Sequence, residues 1–404
     1  MSTPPPGGSP FERLLNDLLR LLQTGGPVQW DLARQWAHSV ATDGQPESNV
    51  EPLERIRLEE LARVAELQIN QTTDLELSTG LVQVRAVTRA EWASRTLTGW
   101  QPLLDSLASA LSRSPSADAD RDQPEGPADP EAASSPGFAG LSGLLGSLGD
   151  VMGPVLLGLQ FGSSVGHLAR RAMGQYALPI PREPLNEVLV VPANISAFAT
   201  DWSLPADEVR LYVCLDQLAH HAVLSRAPVR ARLEELLRSY VGGFQPDPAW
   251  LEQRLSDIDP GDPDSFRMAL GDPTALLGEL QTPHQTQVMA QLEAVVAAVE
   301  GYVDHVVDLV GHQLIASYGA LSEALRRRRV EREEGERFVE RLFGLELGQP
   351  QYERADAFVK GVLTREGEEG LAQLWRAARN LPTPAEVLAP GLWLERIKLP
   401  DPSE

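Results

Sequence analysis

Cysteine occurs once in 404 residues, so no intramolecular disulfide can form and nothing in the composition calls for an oxidising compartment. The single thiol, Cys214, lies in the apolar run Leu211 to Leu215 and is expected to be a buried small hydrophobe. Basic residues are outnumbered, with 35 Lys and Arg against 57 Asp and Glu. A formal net charge of -22 leaves no broad cationic surface to displace counterions, which argues against tight non-specific binding to nucleic acid or anionic lipid. The one cationic cluster, Arg326 to Arg329, reads as a solvated face or as a partner for the acidic run Glu331, Glu333, Glu334 and Glu336. No Gly-rich loop ends in Lys-Ser or Lys-Thr, so P-loop nucleotide chemistry lacks its starting residue. Long apolar runs are missing too. Val151 to Gly166 is free of charge but falls short of the ~20 residues of a spanning helix, and it carries Pro154, Gln160, Ser163 and Ser164, so no membrane span is expected. Its glycines Gly158, Gly162 and Gly166 recur every four residues and predict close helix packing instead. The amino-terminus has neither a positive n-region nor an apolar h-region, and the expectation is a cytoplasmic protein.

What is present reads as mainly α-helical, with few short strands. Hydrophobic residues make up 42% of the chain, enough for a sizeable core. Residues 1–10 read as a disordered N-terminus, 11–112 as a helical region, 113–137 as a disordered acidic linker, 138–345 as a central region and 346–404 as a helical extension. Helical spacing covers Phe11 to Leu22, Trp30 to Ala41 with Asp31 as cap, Leu53 to Ile69, and Thr88 to Leu111 with the capping-box match Thr88-Arg-Ala-Glu91. Leu81 to Val87 and Glu187 to Pro192 read as strands. A bend follows at Gln245 to Pro248. From Thr282 to Arg329 the pattern predicts two helices or one bent at a glycine, and Leu381-Pro-Thr-Pro-Ala-Glu386 marks a helix start. The acidic loop Asp257 to Asp264 does not follow the EF-hand order and reads as a solvated turn. Gly162-Ser-Ser-Val-Gly166 spells the nucleophile elbow, but Ser164 sits in the apolar helical block where that strained turn cannot form.

The stretch that bears on chemistry is Tyr212-Val-Cys-Leu-Asp-Gln-Leu-Ala-His-His221. It is placed like His-Glu-x-x-His, in which two histidines one turn apart face one metal and the glutamate takes a proton from metal-bound water. Asp216 stands at the first histidine and Gln217 at the glutamate, while His220 is retained. On a helix Asp216 and His220 lie on the same side, so a carboxylate and an imidazole can reach one ion, whereas His221 is rotated about 100° away. In one large class of zinc proteases the third ligand is a glutamate on a later helix. An aspartate four residues on then hydrogen-bonds a ligand histidine. Glu300 and Asp304 have that spacing. Asp308 extends their face, and such a carboxylate stripe calls for a cation, an arginine or solvent.

A set of phrases along the chain resembles the zincin-like metallopeptidase family best known from actinobacteria. They are Trp30-Asp-Leu-Ala33, Val87-Thr-Arg-Ala-Glu-Trp92, Gly174-Gln-Tyr-Ala-Leu-Pro179, Val190-Val-Pro-Ala-Asn194, Asp201-Trp-Ser-Leu-Pro-Ala-Asp-Glu-Val-Arg-Leu-Tyr212, Glu300-Gly-Tyr-Val-Asp-His305 and Asn380-Leu-Pro-Thr-Pro384. The resemblance aligns Asp216, His220 and Glu300 with the metal ligands, Gln217 with the general base and Asp304 with the residue behind a ligand. It implies a zinc-dependent hydrolase fold in which zinc is retained or lost. An aspartate can bind zinc, but the neutral amide of Gln217 cannot accept a proton from water. The reading is therefore a degenerate site that keeps a cleft for a peptide or protein ligand, with no nucleic acid, no membrane span and an undetermined oligomeric state. Two alternatives stand beside it. One is an active hydrolase on Asp216, His220 and Glu300, with Tyr302, Asp304 or His305 activating water; the other is a non-catalytic scaffolding protein using its C-terminal region.

Overall fold

The computed structural model describes residues 26–75, 77, 82–112, 136–183, 186–244, 282–331, 334–345 and 348–400, and of 136–152, 330 and 334 the backbone alone. Residues 1–10, the helix expected at Phe11 to Leu22, the bend at Gln245 to Pro248, the acidic loop Asp257 to Asp264 and nearly all of the expected linker lie outside the described residues; Pro136 and Gly137 of that linker already belong to a helix. Among the described residues the elements are α1 (Trp30–Ala41), α2 (Pro52–Thr72), β1 (Gln83–Ala86), α3 (Arg89–Leu111), α4 (Pro136–Arg171), β2 (Glu187–Val190), α5 (Pro192–Asp201), α6 (Ala206–Leu224), α7 (Ala227–Gly242), α8 (Pro283–Leu314), α9 (Tyr318–Val330), α10 (Glu334–Phe343), α11 (Gln349–Ala372), α12 (Pro384–Leu388) and α13 (Pro390–Lys398). The chain is mainly helical, as its periodicity predicts. No helix is long and apolar enough to cross a membrane among the described residues.

Small residues set the closest helix pair. α1 buries Ala33, Ala37 and Ala41 against α4, whose Gly158 and Gly162 face it. A Cβ on Gly162 would lie 2.4 Å from the Ala33 carbonyl oxygen, and one on Gly158 2.7 Å from that of Gln29. The glycine repeat is thus a packing device, and α1 is its partner. Ser164 lies inside the same helix, buried, and its hydroxyl donates to the Gln160 carbonyl at 2.8 Å. That is a helix-interior hydroxyl with no elbow around it. Asp31 is not the cap of α1: Gln29 is, and Asp31 sits in the first turn, where the helix dipole favours a carboxylate and Arg34 pairs with it at 2.8 Å.

At the start of α3 the Thr88 hydroxyl accepts the Glu91 N–H at 3.1 Å, as the capping pattern predicts. The Glu47 carboxylate adds bonds from the Arg89 and Ala90 N–H groups at 2.9 and 3.1 Å. The long pattern from Thr282 divides into α8 and α9 at Ile315, whose extended backbone ends the first helix. β1 and β2 pair in parallel, with Gln83 opposite Glu187 and Ala86 opposite Val190. Gly174 bridges Val190 on its other side, which lays the segment after α4 alongside α6.

α6 runs through the interior, packed against α2, α5, α7 and α8, and Val209 to Leu224 is buried at every position but Asp216. Cys214 is fully buried, and loss of solvation pushes its thiol up to about 12. We expect no reaction of the native protein with a disulfide thiol reagent at neutral pH, and stoichiometric reaction after denaturation. Rapid labelling of the native chain would contradict this burial.

Candidate active-site cleft

Asp216, Gln217 and His220 lie one turn apart or less on α6, and Glu300 reaches them from α8. The His220 Nε2 atom is 3.2 Å from Glu300 Oε1. The other ring nitrogen, Nδ1, is 2.9 Å from the Asp216 main-chain carbonyl and 3.5 Å from Asp216 Oδ1. Gln217 is buried, and its amide is used at both ends: Oε1 accepts the Tyr176 N–H at 2.7 Å, and Nε2 donates to Asp216 Oδ2 at 2.7 Å. Gly174 makes room for it, since a Cβ there would lie 2.5 Å from the Gln217 side chain. The Tyr176 ring stacks on His220 at 5.9 Å and 17°, and its hydroxyl meets His221 Nδ1 at 2.8 Å. His221 thus faces away from Glu300, as its 100° offset predicts.

Both ring nitrogens of His220 face oxygen acceptors, which favours the doubly protonated ring. Burial alone would lower its pKa, but the carboxylates of Asp216 and Glu300 outweigh that and raise it to about 9. The Asp216 carboxyl is also raised, first by burial and then by Glu300, against the lowering effect of His220 and Gln217. One imidazolium cannot neutralise two carboxylates fully. For a group whose folded pKa is raised above the ordinary 6.5, the stabilisation is fully present below 6.5 and is lost as pH rises through about 9. The melting temperature of the metal-free protein is accordingly expected to fall between those limits. His220→Gln should flatten the fall; an unchanged slope in that variant would assign it to another group.

The cleft around these residues has a volume of about 170 Å³ and is lined from α4, α9, α10 and α11 as well as α6 and α8. Arg171, Arg329, Glu340 and Tyr352 line it, none of them visible in the α6 motif. Asp304 does not support His220. It forms a two-pronged ion pair with Arg329 at 2.7 and 2.9 Å, and Arg329 in turn lies over the Tyr352 ring at 4.4 Å. The spacing of Glu300 and Asp304 fits the expected pattern, but Asp304 turns to an arginine that the sequence alone does not place. Asp308 accepts from the Tyr318 hydroxyl, His305 meets Glu368 at 2.9 Å, and Tyr302 packs edge-on against Trp375. Tyr302, Asp304 and His305 are not among the residues lining the cleft.

The family model for Zincin-like metallopeptidase matches residues 28–394. The chain belongs to the zincin-like metallopeptidase family. A solved structure, a candidate hydrolase with a novel fold from Chloroflexus aurantiacus, is 21% identical with a TM-score of 0.56, covering 93% of this chain and 100% of that one; the likeness is one of fold. No curated protein matches.

Zincin-like proteins usually bind zinc, so the donors of this family member can be tested against that ion. Zinc takes donors at about 2.0–2.2 Å in a tetrahedron, which sets neighbouring donors a little over 3 Å apart. His220 Nε2 and Glu300 Oε1, at 3.2 Å, have that separation. The Nδ1 contact with a main-chain carbonyl is also the support a ligand histidine uses. Asp216 breaks the pattern. Its Oδ1 approaches the Nδ1 side of the ring and its Oδ2 is taken by Gln217. Among the described residues no three histidine, cysteine or acidic side chains converge as metal ligands. The donors as arranged do not fit zinc.

Proposed function

We propose that this zincin-like protein keeps the family's cleft as a binding site for a peptide or protein segment, and that its own residues support little or no peptide hydrolysis. The observation that carries this reading is Gln217. At the general-base position it presents a neutral amide whose oxygen and nitrogen are both engaged, so it has neither the charge nor a free acceptor for a proton from water. Loss of general-base help costs about 10²- to 10⁴-fold in rate. His220 bears on the same conclusion, because both its ring nitrogens are occupied by Asp216 and Glu300.

The test is to incubate the purified protein with zinc, remove the excess, measure bound metal by elemental analysis, and assay cleavage of denatured casein with and without chelator. Sub-stoichiometric zinc and no chelator-sensitive cleavage are expected. Chelator-sensitive cleavage that disappears in His220→Ala would sink the proposal and favour hydrolysis on Asp216, His220 and Glu300.

A further inference from the structure

α2 has two apolar faces. One, made of Leu58, Ala62, Ala65 and Ile69, is buried in the core. The other lies roughly half a turn around and leaves Leu53, Ile56, Val64 and Leu67 in solvent, 64%, 52%, 42% and 55% exposed. At about 100° per residue these four form one stripe with Glu60 at its midpoint. The stripe reads alike in both directions from Glu60: an arginine three residues away (Arg57, Arg63), a β-branched aliphatic four away (Ile56, Val64) and a leucine seven away (Leu53, Leu67). Glu60 and Arg63 form no side-chain ion pair or hydrogen bond among the described residues, and Arg57 makes only an exposed contact with Asp207 at 3.6 Å.

We propose that α2 is the contact of a homodimer, two copies of the chain packing their α2 helices antiparallel about a two-fold axis at Glu60. That axis sets Leu53 against the partner's Leu67 and Ile56 against the partner's Val64, and it brings the two Glu60 side chains face to face, each flanked by two arginines of the other helix that offset their repulsion. A closed two-fold interface demands such self-complementarity. A different protein would need no mirror order in the stripe, and this is what favours a second copy. The exposed apolar stripe is on the order of the few hundred Å² that mark interaction sites, and the flanking charges extend it toward the ~800 Å² per partner of a standard interface.

The full-length protein should show a monomer–dimer equilibrium in sedimentation equilibrium at neutral pH. Ile56→Asp combined with Val64→Asp should weaken it by ~100-fold or more, because the interface would then bury unpaired carboxylates. Both sites are on the solvent side of α2, so circular dichroism should match the parent, and melting should match it at concentrations where both are monomeric. Glu60→Cys should oxidise to a disulfide-linked dimer, since the axis brings the two introduced thiols together, while Cys214 is buried and takes no part. Leu53→Cys should cross-link only when mixed with Leu67→Cys. A monomer throughout, a dimer indifferent to the double substitution, or Leu53→Cys cross-linking to itself would overturn the proposal. So would a monomer whose α2 gains amide exchange when residues 1–25 are deleted, which would make the chain's own amino-terminal segment the occupant.

Discussion

Asp216→His combined with Gln217→Glu is expected to give a protein that binds one zinc ion and cleaves peptides, where the function proposed for the parent includes neither. The double change rebuilds His-Glu-x-x-His on a helix whose course is already fixed by burial on all sides. Histidine at 216 supplies a nitrogen one turn before His220, and Glu300 is already 3.2 Å from His220 Nε2, so the third donor is in reach. Glutamate at 217 restores a group that accepts a proton from water, and the Tyr176 N–H that now holds the Gln217 oxygen would hold a carboxylate oxygen in the same place. The gain in cleavage rate over Asp216→His alone should be about 10²- to 10⁴-fold, the general-base contribution. Zinc is measured by elemental analysis and cleavage by release of fluorescence from a quenched casein substrate. Zinc uptake without cleavage would show that the cleft walls, rather than Gln217, block hydrolysis.

Gly162→Leu should be the most damaging single substitution among the glycines of α4. Its Cβ alone would stand 2.4 Å from the Ala33 carbonyl oxygen and 3.2 Å from the Ala33 Cα, and a backbone cannot swing aside as a side chain does. α1 and α4 must separate, giving up the contacts of Ala33 and Ala37 together. Overpacking of this kind costs about 1–3 kcal/mol and more where the backbone must move, so a loss of ~3 kcal/mol or more is expected by urea unfolding. Gly319→Ala on α9 is the control, since Gly153 of α4 precedes Pro154, where a Cβ disfavours the helical backbone. A Cβ on Gly319 meets nothing within 4 Å, and removing a helical glycine should stabilise by ~0.5–1 kcal/mol. Equal effects at the two positions would disprove the close approach of α1 and α4.

Local physics makes much of this protein legible in its residues. The 3.6-residue period places α1, α2, α3 and the α8–α9 pair, because each helix owes its position to an apolar face carried by its own side chains. Caps are less legible where they depend on the entering chain: Asp31 has the right chemistry for a cap, but the cap position falls at Gln29. The glycine spacing in α4 announces close packing, while only the three-dimensional arrangement names α1 as the neighbour.

The sequence by itself determined which residues are present at the site: an aspartate and a glutamine side by side, a histidine one turn on, and a glutamate and aspartate four apart downstream. Helical geometry is local, so their relative azimuths followed. Tertiary structure alone decided what each side chain touches. It set His220 between Asp216 and Glu300, turned Asp304 to Arg329, closed the Gln217 amide onto the Tyr176 backbone, and left the second apolar face of α2 in solvent. Those outcomes depend on competition among groups distant in the chain for a few positions within hydrogen-bonding reach, and spacing along one helix carries no information about which group wins.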